Sequence, residues 1–199
     1  MNLIDYLISL RTGKVLLQSY HMNVKIALIY DIAQRLYKDR VSICIINYEK
    51  FLKLSGREID QRCDEDSYVI VFEAEGPSDL PMRYNLVTSF VKINRYFDDI
   101  LKIDKVSTNL YKAQNNAGDL FIFSVINGEI IERKLRPIHE DIINFLKEYG
   151  GEVEIKDLIN IISKKYEISR DNVRVELALL KELGIIEVKD RKVILTQLL

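Results

Sequence analysis

The sequence is poor in residues that break or cross-link a chain. Its 199 residues include no tryptophan, three prolines, eight glycines and two cysteines. So little glycine and proline leaves small room for linker or low-complexity sequence. Two cysteines are too few for a disulfide scaffold. Cys44 lies in an apolar run and reads as an inert core thiol; Cys63 lies in a charged loop. The two histidines, His21 and His139, are far apart and have no cysteine or carboxylate at metal-ligand spacing. They read as surface or loop residues, and no metal or other cofactor is expected. Charge of one sign is also lacking, with 29 basic against 30 acidic residues. That excludes a basic tail that coats nucleic acid without sequence preference. No apolar run approaches the ~18 residues of a membrane span, so no membrane association is expected. The opening MNLIDYLISLRTGK is interrupted by Asp5 and lacks a small-residue cleavage site. A cytoplasmic location is the expectation.

What is present is an ordinary globular mixture, 48% hydrophobic and 30% charged. Pro77 and Pro81 fall together in EGPSDLP, a loop. Pro137 follows a β-rich stretch and precedes a helical pattern. Proline suits the first turn of a helix and disfavours helix just before it. Two domains are expected, 1–135 and 136–199. Counted along the sequence, residues 1–135 hold 18 basic and 18 acidic side chains, and 136–199 hold 11 and 12.

The first segment alternates strand and helix. A short helix at 2–10 precedes a strand at 13–19 and a long amphipathic helix at 23–38. Apolar runs at 41–47 and 67–75 read as strands buried on both faces. A turn or two of helix is expected near 50–54, in a charged stretch whose Asp60, Asp64, Glu65 and Asp66 read as a solvated loop. Residues 82–102 carry Leu86, Phe90, Phe97, Ile100 and Leu101 and read as a helix, with Asp98 and Asp99 on its polar side. Strands follow at 105–111 and 119–135, the latter folded into a hairpin at Asn127-Gly128. Such alternation predicts an α/β fold with a mixed or parallel sheet and helices on both faces.

The second segment reads as three helices and a hairpin. Helices are expected at 138–149, at 155–166, and from Ser169 to Leu183, with Ser169 as N-cap and Gly184 as C-cap. A strand pair follows around the turn Lys189-Asp190-Arg191. Ser169, Val173, Leu177, Leu180, Gly184 and Ile186 resemble the third-helix-to-wing pattern of winged helix-turn-helix domains. That likeness implies DNA contact through Arg170, Asn172 and Arg174 on the third helix and Lys189, Arg191 and Lys192 on the wing. Val175 and Leu179 lie off the core stripe and read as a partner or dimer surface.

A second resemblance runs over about 120 residues of the first segment. TGKVLLQSYHMNVKIALIYDIAQRL is similar to the first strand, phosphate loop and first helix of RecA/RadA-like recombinase cores. YVIVFE ends in Glu73, where such folds keep a Walker B acid. MRYNLVTSFVKINRYFDDILKID resembles the long helix that follows, and Thr108-Asn109 resembles the pair ending the next strand. The phosphate loop has the form G-x-x-x-x-G-K-[ST], and here the aligned residues are Ser19-Tyr20-His21-Met22-Asn23-Val24-Lys25-Ile26. Only the lysine survives. Val24 puts a Cβ where amide groups must converge on phosphate, and Ile26 lacks the hydroxyl that holds Mg²⁺. No nucleotide hydrolysis is expected, and Lys25 and Glu73 read as vestiges. The resemblance implies a non-catalytic accessory or assembly protein of recombination or replication, with a protein partner or homodimerisation and DNA as a candidate ligand. The alternative is a transcriptional regulator with an α/β sensing or dimerisation domain.

Overall fold

The protein is described by a computed structural model covering residues 2–10 and 12–196. It forms two compact units, Met1–Arg133 and Lys134–Leu199. The first is built on an eight-stranded mixed sheet and helices, an α/β unit. In chain order it contains α1 (Leu3–Ser9), β1 (Val15–Gln18), α2 (Met22–Lys38), β2 (Ile43–Ile46), α3 (Tyr48–Ser55), β3 (Tyr68–Val71) and β4 (Leu86–Ser89). A meander of β5 (Asp99–Ser107), β6 (Leu110–Gln114), β7 (Leu120–Ile126) and β8 (Glu129–Arg133) completes it. The sheet order is β2-β3-β4-β1-β5-β6-β7-β8. Pairings from β2 to β5 are parallel, and those from β5 to β8 antiparallel.

Burial explains this layout. α2 turns Val24, Leu28, Ile32 and Leu36 to one face of the sheet, at helical spacing. α1 adds Leu3 and Leu7, and α3 adds Phe51, to the same cluster. Phe51 meets Phe72 edge to face at 5.2 Å and stacks on Tyr48 at 6.2 Å between ring centres. The opposite face carries Leu16, Val71 and Val87, covered by Leu80, Tyr84, Ile93 and Phe97 from loops. Among the described residues the α-helices therefore pack on one face only, which corrects the two-faced expectation. The reason is the segment 82–102. It holds no helix: β4 and β5 occupy its ends and a loop lies between them. Its apolar residues fit a helical stripe, but Leu86–Ser89 is buried throughout, as an interior strand between β3 and β1 must be. Asp99, expected on a polar helix side, is buried and accepts the Tyr6 hydroxyl at 2.5 Å. Asp98 accepts the Lys14 amide at 2.6 Å. The single strand expected at 105–111 is likewise the end of β5, a turn and the start of β6. Asn109 has φ +58 in that turn. The hairpin at Asn127-Gly128 joins β7 to β8, with φ +54 and +81 at its two residues, values that favour these types.

Cys44 and Cys63 form a disulfide, so neither is a free thiol. Cys44 lies on β2, the edge strand, and Cys63 on the loop between α3 and β3. That loop also covers the strand edge: Ile43 O accepts the Arg62 amide and Gln61 Oε1 accepts the Ile45 amide, both at 2.8 Å. The partners lie 19 residues apart, beyond the reach of sequence pattern.

The second unit contains α4 (Pro137–Glu148), β9 (Glu152–Glu154), α5 (Ile155–Tyr166), α6 (Arg170–Leu183), β10 (Ile186–Lys189) and β11 (Lys192–Leu195). Its core includes Ile142 and Leu146, Leu158 and Ile162, and Val173, Leu177 and Leu180, one set from each helix. The three strands form an antiparallel sheet in the order β10-β11-β9. β9 was not expected; three residues after Gly150-Gly151 are too few to display a period. No helix among the described residues is long and apolar enough to cross a membrane.

Candidate functional site

The loop after β1 leads directly into α2, and Lys25 sits in the first turn of that helix. Its side chain is 1% exposed and its Nζ lies 2.6 Å from Oε1 of Glu73, itself 2% exposed. Glu73 follows β3 in the left-handed region, φ +54. That geometry is held by β4: Thr88 Oγ1 accepts the Glu73 amide at 2.9 Å and donates to Glu73 Oε1 at 3.0 Å. Burial pulls the Lys25 ammonium below the usual lysine range, against the opposing hydrogen bond and charge of Glu73. The two residues singled out in the sequence are thus brought together, into an internal pair screened from solvent.

His21 precedes α2 and its side chain caps no backbone amide. Its ring meets the Tyr111 edge at 5.4 Å. His139, expected on the surface, is instead 2% exposed on α4. Its Nδ1 accepts the Arg136 amide at 3.2 Å, which places the proton on Nε2, 2.7 Å from Glu176 Oε2 on α6. Arg136 also reaches Glu176. Burial pushes the Glu176 carboxyl up, but hydrogen bonds from His139 and Arg136 prevail and hold it below its ordinary 4.5. Nothing in local sequence pattern pairs residues 139 and 176; only the packing of α4 on α6 does.

The remaining sequence candidates lie on α6 and the β10–β11 turn. Ser169 caps α6 by accepting the Asn172 amide at 3.1 Å. Arg170, Arg174 and Val175 are exposed, Val175 at 65%, and Leu179 is half-buried. Arg174 is engaged by Asp171 one turn earlier. Asn172 and Val175 line a 420 Å³ hollow with Pro137, Tyr166 and Ile168. Lys189 and Arg191 are exposed about the turn, where Asp190 and Arg191 have φ +50 and +64. Lys192 is bound to Glu152 at 2.8 Å, which pushes its ammonium up. Arg170, Lys189 and Arg191 make no ion pair among the described residues. Among the described residues, no group of three or more His, Cys, Asp or Glu side chains is placed to hold a metal.

The fold and these sites define an α/β unit followed by a small α+β unit. No family model matches the chain, and no curated protein or solved structure compared with it does so.

Proposed function

We propose that the protein works by binding and not by turnover, as an accessory or assembly factor associated with DNA in recombination or replication. One observation carries the non-catalytic half of this reading: the Lys25–Glu73 pair. A phosphate-binding lysine must reach its anion, and a Walker-type acid must hold a metal or polarise water. Here each satisfies the other, buried, and Val24 and Ile26 stand where the cradle needs a glycine and a hydroxyl. The likeness to a RecA/RadA core is supported by the order strand, loop, helix and by Glu73 standing just beyond β3, a parallel strand separated from β1 by β4. It is weakened by the absence of the long helix at 82–102.

For the second unit the reading is a winged helix, supported by its order of three helices and three strands. Arg170 and Asn172 at the start of α6, Arg174 beyond them, and Lys189, Arg191 and Lys192 at the turn would meet DNA. Val175 and Leu179 would meet a protein partner or a second copy. Hydrolysis of ATP should be undetectable, and turnover abolished by Lys25→Ala would overturn the non-catalytic reading. Duplex binding should weaken with salt, with a log–log slope of about −3 for three free cations at ~0.9 each. No binding at low salt would remove DNA and leave the protein partner. A tight preference for one palindromic site would favour the second reading, a transcriptional regulator whose α/β unit senses a ligand. A cleft of about 450 Å³ on the first unit's sheet is the observation in its favour.

A further inference from the structure

A cleft of about 450 Å³ opens on the face of the first unit's sheet opposite α1, α2 and α3. β1 and β5 run parallel, with Gln18 beside Lys102. Side chains alternate across a strand, so Leu101 and Ile103 enter the core under α2 while Ile100, Lys102 and Asp104 share the opposite face. The cleft lies over that second set, bounded by Gln18, Ser19 and Tyr20 from β1 and its loop, Lys92 after β4, and Asn116 after β6.

Its walls are built. Ser19 is buried, donates its hydroxyl to Ile103 O at 3.3 Å and accepts the His21 amide at 3.1 Å. Ser89 Oγ accepts the Val91 amide at 3.1 Å, which sets the loop bearing Lys92, and Asp99 Oδ1 accepts the Asn116 amide at 3.1 Å. On this frame stand Tyr20, 83% exposed, and two exposed lysines. Neither Lys92 nor Lys102 has an ion-pair partner among the described residues. The Tyr20 ring and the two ammonium groups thus line one cleft, with the Asp104 carboxylate leaving it a net positive charge of one.

We propose that this cleft binds a nucleoside phosphate unit. Its base stacks on Tyr20, its phosphate is held between Lys92 and Lys102, and the polar ends of Gln18 and Asn116 meet base or sugar edges. An aromatic platform beside cations is the arrangement that takes single nucleotides and single strands without reading sequence. A crevice of this size suits one such unit. The site shares no residue with the Lys25–Glu73 pair or with α6, so it stands whether or not the preceding functional reading does.

The test titrates the full chain with AMP, oligothymidylate of eight residues, and inorganic phosphate, by calorimetry or amide chemical shift. Saturable binding of AMP or the oligomer is expected. Tyr20→Ala should weaken it about 10-fold, and Lys92→Glu and Lys102→Glu at least as much, with Lys102→Arg restoring most of the loss. These side chains are exposed, so melting temperature should hold in every variant. An oligomer bound more than 10-fold tighter than AMP identifies a strand as the source, and equal affinities identify a free nucleotide. Both outcomes carry the proposal. It is overturned if neither AMP nor oligomer saturates at millimolar concentration, or if the variants bind as the parent does. Phosphate binding as tightly as AMP with no response to Tyr20→Ala would also overturn it.

Discussion

Lys25 and Glu73 each carry a charge into the interior, and each is tolerated only because of the other. Removing one member of a buried pair leaves an uncompensated charge, at a cost of about 3–5 kcal/mol. Lys25→Met alone should lose about that much in urea unfolding. The double variant Lys25→Met, Glu73→Leu should regain most of it; a double variant as unstable as the single would show that the pair is not the source. Glu176 makes a comparable case in the second unit. Its carboxyl is held below 4.5, so its contribution is fully present above that value and fades as pH falls through the lower folded one. In acid unfolding followed by circular dichroism, the parent should therefore lose this contribution only as pH falls below 4.5. Glu176→Gln should be less stable at neutral pH, with the gap closing in acid; a pH-independent gap would count against the network. At this scale the sequence was legible in part: it singled out Lys25 and Glu73, but not that they neutralise one another. It gave no sign of the His139–Glu176 bond, because a separation of 37 residues has no local signature.

Elements add constraints that single residues lack. β2 is an edge strand, and an uncovered edge invites pairing with other chains. The loop pinned by Cys44–Cys63 covers it. Closing a loop with partners 19 residues apart removes chain entropy worth about 3 kcal/mol. Reduction should lower stability by about that amount in denaturant melts; a reduced protein that unfolds at the same midpoint would deny the disulfide any such role. α6 is delimited by Ser169 and by Gly184, whose φ of +77 favours glycine. Ser169→Ala should cost about 1 kcal/mol. Tyr166 of α5 donates to Asp141 of α4 at 2.6 Å, which pushes the phenol up to about 12. Periodicity anticipated α2, α5 and α6 well, since each presents a regular apolar stripe. It failed at 82–102, where the same spacing of apolar residues served two strands and a loop.

At the scale of the whole molecule, near-neutral charge limits what DNA binding can rest on. Positive side chains number 29 and negative ones 30, and in the second unit several cations are already engaged by Asp171, Glu152 and Glu176. Any affinity for duplex under the proposed reading would rest on few phosphates, hence the shallow expected salt slope. Charge reversal at Arg170 and Arg191 together should abolish binding and leave melting unchanged; retained binding would move the interface elsewhere. In the first unit the helix-bearing face is thick with apolar packing, and Phe51→Ala there should cost about 3–5 kcal/mol. The other face, closed only by loops, is where a cleft can form.

The amino-acid order by itself determined the helices with strong stripes, the hairpin at Asn127-Gly128, and the lack at residues 19–26 of the glycines and hydroxyl that a phosphate cradle requires. These depend on neighbours a few residues apart, whose spacing acts directly on local backbone geometry. Tertiary structure alone decided the rest: the strands of 82–102, the disulfide, the one-sided helices, the closure of Lys25 on Glu73 and the cleft beside Tyr20. Each of these depends on which strand lies beside which. The order β2-β3-β4-β1-β5 sets distant segments a few ångströms apart, and burial there outweighs the local preference of any one segment.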